Sequence, residues 1–420
     1  MFSKSTTIES TYNNCKDYLN EKGIDPENAL RQLEKISLSI HCWQGDDVTG
    51  NTTMKGGGIG VTGNYPGRAR CMNELRKDLE KVISLVPGSH RINLHSIYGD
   101  FQDKPVERNE IRKEHFDKWL DWAGNLGVNL DFNATCFAHC KAEDGWTLSH
   151  NDPSIRRFWI EHVRNCREIA GHFGKIQGTC SIHDLWIPDG AKETPYDRTG
   201  PRSRLLESLD EIYRDEYSEL ELKDAVESKL FGIGSESYVT GSFEFYLGYS
   251  LKNNLMICLD MGHFHPTEIV ADKISSIMQY NNELLLHISR GVRWDSDHVP
   301  LLNDEVLAVA QELIRGNYLP RVHLALDYFD ASINRIGAYI IGIRSVQKAL
   351  LLALLEPAQL IRQAEEQGDN FTRLALMEEA RNLPLGIIWD YFCLTQNVPP
   401  SGKWLSDVKK YEKDILLRRI

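Results

Sequence analysis

The sequence lacks the features that would assign it to a membrane, secreted or nucleic-acid-binding class. No stretch approaches eighteen consecutive apolar residues, and residues 1–4 are not followed by the apolar core of a secretory signal. Positive charge is scarce, because 48 Lys and Arg face 60 Asp and Glu and give a formal net charge of −12. Nucleic-acid affinity depends on Lys and Arg that neutralise phosphates. We therefore expect neither a nucleic-acid partner nor a membrane association.

Cysteine occurs in a pattern that does not suit a disulfide framework. The nine cysteines are odd in number and scattered along the chain. Cys136 and Cys140, which flank His139, have no second Cys/His pair at zinc-finger spacing, so core packing is the better interpretation. Free thiols are typical of a reducing compartment, and we expect a cytoplasmic protein.

What the sequence does contain is an alternation of short β-rich runs and amphipathic segments of helical period. Eight strands alternating with helices predict a (β/α)8 barrel over residues 36–355 of the 420-residue chain. A helical segment over 1–35 precedes the barrel, and a helical extension over 356–420 follows it. The extension is expected to make subunit contacts or to cover the barrel's own helices. The predicted strands are 36–41, 91–97, 128–132, 178–186, 230–236, 255–260, 284–289 and 322–327.

Ligand-type side chains stand at the predicted carboxyl ends of these strands, where barrels of this class carry their chemistry. A single His or Asp there is more often a helix cap or a satisfied core residue, but the repetition from strand to strand favours a functional site. The strand-end residues are His41, His95, Asp131, Asn133, His183, Asp184, Trp186, Glu236, Asp260, His263, His287 and Asp327.

The densest group of such residues lies in 255–298. There Asp295 and Asp297 stand on the same side of an extended backbone, where two carboxylates repel each other unless a cation or a proton lies between them. Oxygen and imidazole ligands suit Mn²⁺, Mg²⁺, Co²⁺ or Zn²⁺. Seven such ligands exceed what one six-coordinate ion needs, so two divalent cations are predicted. The seven are Glu236, Asp260, His263, His287, Asp295, Asp297 and Asp327.

The glycine-rich stretch 56–67 contains a literal G-x-G-x-x-G. We reject a dinucleotide site, because no strand directly precedes the stretch and Tyr65-Pro66-Gly67 makes a turn before the next helix. The stretch is interpreted as the first loop at the barrel mouth, either a lid that closes over substrate or a plain flexible loop.

Six motifs resemble those of the L-rhamnose isomerases, and they span nearly the whole chain. The resemblance implies a metal-dependent aldose–ketose isomerase of the xylose-isomerase-like barrel class, which converts L-rhamnose to L-rhamnulose and is cytoplasmic and usually tetrameric. The motifs are SIHCWQGDD at 39–47, TGNYPG at 62–67, WIPDG at 186–190, FGIGSESY at 231–238, residues 260–268, and DYFDASINR at 327–335.

Carried over residue by residue, the resemblance implies two cation sites, with Mn²⁺ expected and Zn²⁺, Co²⁺ or Mg²⁺ as alternatives. The ligands of a structural cation are Glu236, Asp260, His287 and Asp327, and those of a catalytic cation are His263, Asp295 and Asp297.

The resemblance also implies that His95 helps to open the sugar ring and that Trp186 stacks on the sugar. The implied catalytic residues are His95, Asp297 and Asp327. The sequence departs from the family's pattern at Gly291, where proline is usual, and at 182–184, and both departures bear on substrate preference.

Because most carboxylates at the predicted mouth are metal ligands, few remain to act as a base. We therefore expect hydrogen to move from C2 to C1 of the sugar as hydride, rather than through an enediol. A metal-dependent sugar epimerase on the same barrel is the alternative function. A metal-stabilised binding protein and an abasic-site endonuclease are further alternatives, although the endonuclease should show a basic groove.

Overall fold

The computed structural model describes residues 5–44, 63, 65–102, 104–231, 235–292 and 297–419. The helices in that part of the chain are α1 (Ser5–Glu21), α2 (Pro26–Glu34), α3 (Met72–Ile83), α4 (Asp117–Leu126), α5 (Pro153–Gln177), α6 (Thr199–Ile212), α7 (Phe243–Asn253), α8 (Val270–Ile277), α9 (Asp304–Arg315), α10 (Arg335–Leu354), α11 (Ala358–Glu366), α12 (Asn370–Ala380), α13 (Leu385–Thr395) and α14 (Trp404–Asp414). The strands are β1 (Leu38–His41), β2 (His90–His95), β3 (Asn129–Asn133), β4 (Ser181–Leu185), β5 (Gly190–Ala191), β6 (Leu222–Glu227), β7 (Tyr238–Val239), β8 (Met256–Asp260), β9 (Leu284–Ile288) and β10 (Val322–Leu326).

Eight of these strands close into a parallel barrel, which confirms the predicted (β/α)8 class. Their order around the barrel is β1-β10-β9-β8-β6-β4-β3-β2, and the two-residue strands β5 and β7 pair with each other outside it. Parallel strands direct all their carboxyl ends to one rim, the barrel mouth. Because β6, β8, β9 and β10 are consecutive neighbours, the side chains that end them converge on one part of the mouth.

One predicted strand is wrong. The sequence predicts the fifth barrel strand at 230–236, but the structure places it at Leu222–Glu227. This strand is hard to find because it carries a charged residue, Asp224, in its middle. The Asp224 carboxylate is buried and accepts hydrogen bonds from Arg167 of α5, with Nε–Oδ1 3.0 Å and Nη2–Oδ2 2.9 Å, and it also contacts His183 Nδ1 at 3.1 Å. Since tertiary partners satisfy this polar group, hydrophobic periodicity does not reveal the strand.

The helices between the strands pack around the barrel, and α10 is the most apolar of them. By length and composition α10 is the one described helix that could cross a membrane, and 78% of that stretch is buried inside the protein. It packs against α2, α3, α9 and α13. A core helix of a folded domain passes the same test of length and composition.

The C-terminal extension reaches the barrel mouth through a buried carboxylate. Asp78 of α3 accepts two hydrogen bonds from Arg419, with Nη1–Oδ2 2.6 Å and Nη2–Oδ1 2.7 Å. Tyr411 of α14 donates to Oδ1 at 2.7 Å, and Gln44 donates to Oδ2 at 2.6 Å. Gln44 directly follows Trp43, which lies just past the end of β1. The extension therefore helps to hold the chain where it leaves the first barrel strand.

The glycine-rich stretch 56–67 lies mostly outside the described residues, so its interpretation as a mouth loop or lid stays a prediction. The described part of the stretch contacts the loop after β10. The backbone N–H of Tyr65 donates to the carbonyl oxygen of Ala331 at 2.8 Å. A Cβ added to Gly63 would lie 2.4 Å from the same oxygen, so a side chain at this position would push the two segments apart.

Candidate metal centre

Four side chains from neighbouring strand ends meet at the barrel mouth. Glu227 ends β6, Asp260 ends β8, His287 lies near the end of β9, and Asp327 directly follows β10. The strand register pairs Asp260 with His287. His287 Nδ1 lies 3.4 Å from Glu227 Oε1, 3.4 Å from Asp260 Oδ2 and 3.4 Å from Asp327 Oδ2. One imidazole nitrogen is thus equally distant from three carboxylates, and we call these residues the four-residue set.

The four-residue set fits a divalent cation. All four residues are buried, and each contributes an atom that has no hydrogen-bond partner among the described residues: Glu227 Oε1, Asp260 Oδ2, His287 Nδ1 and Asp327 Oδ1. A buried polar atom without a partner costs stability. Ligands that each lie about 2.1 Å from one cation stand about 3.0–3.4 Å from each other, which is close to the separation seen here. A cation among these atoms would satisfy all of them.

The charges of this cluster shift its pKa values in opposite directions. Burial alone would raise the pKa of Glu227, but the neighbouring His287 and His263 hold it well below its usual range. Burial alone would lower the pKa of His287, but Cys258 and the surrounding carboxylates raise it well above its usual range. Burial raises the pKa of Asp327 to about 6. Without a cation, a proton on His287 therefore balances part of the negative charge.

Cation binding at this site should consequently release protons and weaken at low pH. His287 must lose its proton before Nδ1 can bind a cation. Asp327, with its pKa raised to about 6, is protonated below that pH, so affinity falls as the pH drops through 6 and rises as the pH increases. Calorimetric titration with Mn²⁺ in two buffers of different ionisation enthalpy measures the protons released. Equal heats in the two buffers at neutral pH would contradict this prediction.

A second donor set shares Asp260 with the first. Asp260, His263 and Asp297 each offer one ligand atom, and these atoms lie within 4.8 Å of one another. His263 Nε2 is 3.5 Å from Asp297 Oδ2. Ser289 Oγ lies 3.1 Å from Asp260 Oδ1 and 3.2 Å from Asp297 Oδ1, so its single proton can be donated to either carboxylate. Burial and the charge of Asp260 raise the pKa of Asp297 well above its usual range, which again favours a cation nearby.

The structure brings five of the seven predicted ligands together: Asp260, His263, His287, Asp297 and Asp327. Asp295 falls in 293–296, outside the described residues. The prediction of Glu236 as a ligand is wrong, because its side chain is exposed and it precedes the short strand β7, outside the barrel. Glu227 stands where Glu236 was predicted, since the fifth barrel strand ends nine residues earlier. The signal in the sequence for this ligand was an acidic residue, Glu227, directly after the apolar pair Ala225-Val226.

A wall of aromatic rings lies across the mouth from the strands that carry these ligands. The Trp43 ring is centred 4.7 Å from His95 and stacks on Phe329 at 5.7 Å. Phe137 meets His95 and Trp186 edge-on, each at 5.6 Å. The two predicted sugar-contacting residues, His95 and Trp186, therefore belong to one surface, which we call the aromatic wall. Trp43, Phe137 and Phe329 were not singled out in the sequence.

A buried lysine beside this wall was not predicted from the sequence. Lys229 follows the end of β6, is 4% exposed, and donates from Nζ to the carbonyl oxygen of Pro188 at 3.0 Å. Its ammonium group lies 5.3 Å from the centre of the Trp186 ring. The fifth barrel strand was predicted at 230–236, after Lys229, so the prediction did not place this lysine at the end of a strand. The hydrogen bond and the ring contact hold a positive charge against one edge of the wall.

Comparison with known proteins agrees with this geometry. The sequence model described as L-rhamnose isomerase (RhaA) matches residues 6–419. An L-rhamnose isomerase of Rhodopirellula baltica is 51% identical over 419 residues, covering 99% of this chain and 98% of that protein. The enzyme of that name from Salmonella gallinarum is 51% identical over 418 residues, covering 99% and 100%.

A similarity to solved structures is much weaker. A D-allulose 3-epimerase from Methylomonas sp. covers 75% of this chain and 99% of that one, at 11% identity and a TM-score of 0.49. That level of similarity says nothing about the reaction. The sequence similarity, by contrast, extends over the strand ends that carry both donor sets and over the helices on either side of the barrel. From residue 6 to residue 419 this chain belongs to the L-rhamnose isomerase family.

Proposed function

We propose that the protein is an aldose–ketose isomerase that interconverts L-rhamnose and L-rhamnulose and holds two divalent cations. The observation that carries this proposal is the four-residue set, whose unpartnered buried atoms converge at the mouth of a barrel beside an aromatic wall. Relatives named for this activity match the chain over 98–100% of their own length, which supports the substrate. We propose Mn²⁺ as the ion, with Zn²⁺, Co²⁺ or Mg²⁺ as alternatives.

The two donor sets have different roles in this proposal. A structural cation is assigned to the four-residue set, and a catalytic cation is assigned to His263 and Asp297 together with Asp295. When bound, divalent cations act as Lewis acids on the sugar oxygens at C1 and C2. Asp327 also counts among the proposed catalytic residues, because its carboxylate joins the four-residue set at the mouth. The hydroxyl of Ser289, between Asp260 and Asp297, keeps the two sets at a fixed separation.

His95 is the proposed ring-opening residue. Burial lowers the pKa of His95 to about 3, so the imidazole is neutral at physiological pH. Ser96 Oγ donates to Thr135 Oγ1 at 2.9 Å, which leaves the Thr135 hydroxyl proton for His95 Nδ1 at 3.0 Å. With this assignment Nε2 carries the proton. The neutral imidazole can then donate a hydrogen bond from Nε2 to the ring oxygen. As the C1–O5 bond breaks, the proton that leaves the C1 hydroxyl ends on O5 and C1 becomes the aldehyde carbon, so His95 stays neutral overall.

The aromatic wall suits the rest of the substrate. L-Rhamnose carries a methyl group at C6, and the partly exposed rings of Phe329 and Trp186 offer apolar surface on which such a group packs, while the fully buried Trp43 stacks against Phe329. Closing this surface over the sugar excludes water from the reacting carbons. The ammonium group of Lys229, held by Pro188, adds a positive charge that can donate to a sugar hydroxyl or to a developing oxyanion.

The assay that tests this function follows ketose formation in metal-free protein before and after Mn²⁺ is added. We expect L-rhamnose to be converted to L-rhamnulose only when the cation is present, and chelation to abolish the activity. Product identification by NMR separates the candidate functions, because an epimerase would invert a carbon of a ketose without making an aldose into a ketose. Full activity in exhaustively chelated protein, or sugar binding without turnover, would contradict the proposal.

The hydrogen is proposed to move directly from C2 to C1. Asp131 is paired with Arg91 at 2.7 Å, and the other buried carboxylates at the described strand ends belong to donor sets that can hold a cation: Asp184, Glu227, Asp260 and Asp327. A carboxylate that binds a cation is a poor base, so an enediol route lacks its proton acceptor. L-Rhamnose labelled with deuterium at C2 should therefore give L-rhamnulose that retains the label at C1. Loss of the label to solvent within a single turnover would contradict this route and direct attention to His95.

We also propose a cytoplasmic homotetramer. The nine cysteines are all free, which supports a reducing compartment. On α11 and α12 the side chains of Leu360, Phe371 and Leu374 are 46%, 82% and 66% exposed, an apolar surface that a second subunit would cover. The barrel over 36–355 and the extensions over 1–35 and 356–420 remain the proposed domain boundaries.

A further inference from the structure

The barrel interior below the metal centre is only partly filled, by a cluster that includes Ile182, Met256 and Leu285. Bulky branched side chains usually fill a barrel of this class. Here the interior positions level with His287 on the two neighbouring strands are Ala325 and Ser39, which the strand register places side by side. Small side chains at these positions leave a cavity of about 430 Å³. The cavity extends from exposed residues at the base of the barrel, such as Asn317, to the underside of His287.

A buried carboxylate faces this cavity. Asp184 of β4 lines the cavity and is 2% exposed, and neither of its oxygens has a hydrogen-bond partner among the described residues. The ligand atoms of Asp184, Glu227, Cys258 and His287 lie within 4.8 Å of one another. This lower set shares Glu227 and His287 with the four-residue set above it. Two groups of cation ligands are therefore stacked, and the lower one borders the cavity.

We propose that divalent cations reach and leave the four-residue site through this cavity, and that Asp184 forms a transit site on the way. The inference rests on the proposed metal centre. Neutral oxygen-bearing side chains line the inner part of the cavity, among them Ser39, Asn93 and Asn133. Among the described lining residues Lys35 is the only Lys or Arg, and it lies at the exposed rim. A hydrated cation thus meets oxygen ligands on the way in and the carboxylate of Asp184 at the end.

The shared ligands explain how a cation could pass from one set to the other. Glu227 and His287 belong to both sets, so a cation that moves from the lower set to the upper one exchanges Asp184 and Cys258 for Asp260 and Asp327. The cation keeps Glu227 and His287 throughout and is never without protein ligands in the buried interior. The four-residue site is itself buried, since its members are 1–9% exposed. A route from below reaches it without displacing a sugar bound at the mouth.

The test measures cation exchange rates, with the free Mn²⁺ signal in electron paramagnetic resonance as the readout. Full-length protein is loaded with Mn²⁺ and mixed with excess Zn²⁺, which takes the vacated sites and leaves the released Mn²⁺ free, and metal-free protein is mixed with Mn²⁺ to follow uptake. Ala325→Val narrows the cavity without altering a ligand. Ala349→Val is the control, because Ala349 of α10 is equally buried but lies outside the barrel interior and does not line the cavity. Melting temperatures check that both variants fold.

We expect Ala325→Val to slow uptake and release together by about tenfold while equilibrium Mn²⁺ affinity stays the same, because both directions use one route. Ala349→Val should leave both rates unchanged. Unchanged rates in Ala325→Val would overturn the proposal and assign exchange to the mouth. If the wild-type protein bound no Mn²⁺ at all, the proposed function would fail instead, so the two failures are distinguishable.

Asp184→Asn provides the second variant, in which the size of the side chain is kept and the charge is removed. A transit role predicts slower uptake and release with an affinity within about twofold of wild type. If Asp184 were instead a permanent ligand, the affinity would fall and release would become faster. That result would overturn the transit site, even in the event that Ala325→Val failed to fold.

Discussion

Replacing Glu227 by glutamine should empty the four-residue site and lower the melting temperature. Glu227 Oε1 lies 3.4 Å from His287 Nδ1 and 3.1 Å from His263 Nδ1, inside a cluster that is almost fully buried. Removing its charge deprives the cation of one of the four ligands at this site. Loss of even an outer partner of a metal ligand costs about 10–100-fold in affinity, so we expect at least about 100-fold here. A cation at about one hundred times its Kd stabilises the folded state by about 2.7 kcal/mol, and the variant loses that contribution.

Glu236→Gln is the matched control, because the resemblance to the family assigned that residue to the same site. Glu236 is exposed and lies beyond the barrel strand. Its replacement should leave the bound metal, measured by elemental analysis, and the melting temperature at saturating Mn²⁺ unchanged. If Glu236→Gln lost the cation and Glu227→Gln kept it, the assignment of Glu227 to the metal centre would be wrong.

Asp297→Asn should lower kcat by about 10²–10³-fold while the barrel stays folded. Asp297 belongs only to the second donor set, with Asp260 and His263, so the four-residue set keeps all its ligands. Its backbone carbonyl still accepts the hydrogen bond from the N–H of Phe329 at 2.8 Å, which holds the loop in place. The variant should therefore retain a structural cation and a wild-type melting temperature. Kinetics and differential scanning calorimetry at saturating Mn²⁺ measure the two effects separately.

A comparison of the two acidic variants tests the division of roles. Glu227→Gln should lose both stability and activity, whereas Asp297→Asn should lose activity alone. Equal melting temperatures for the two variants at saturating Mn²⁺ would count against separate structural and catalytic cations. Ser289→Ala is a milder change, because it removes only a hydroxyl that can donate to Asp260 or Asp297. It should reduce kcat far less than Asp297→Asn.

The sequence predicted most of the site because its residues follow strands that periodicity reveals. Asp260 and His287 each end a continuous apolar run, Asp327 follows the shorter run Leu324-Ala325-Leu326, and parallel strands necessarily bring such ends to one rim. Glu227 was missed because Asp224 interrupts its strand, and the compensating Arg167 comes from α5, far away in the sequence. A local pattern records whether a residue is apolar, but it does not record which distant partner satisfies a polar one.

Distance along the chain limited the remaining predictions in the same way. The helical extension was expected to contact another subunit or the barrel helices, and Arg419 and Tyr411 do contact Asp78 of the barrel helix α3, but the sequence does not identify partners that lie more than 300 positions apart. The cavity below His287 likewise depends on Ala325 and Ser39 being neighbours across the closure of the barrel. Neither feature leaves a periodic signal in the sequence.

The hydrogen bonds around Asp78 have a consequence for heat inactivation. Helices near a chain terminus open locally at lower free energy than a barrel core, and here such an opening would release Gln44 and loosen Trp43 at the aromatic wall. Catalytic half-life at high temperature would then be governed by fraying of α14 rather than by melting of the barrel. Engineering for durability would best begin at Tyr411 and its neighbours in α14, far from any residue that touches the sugar.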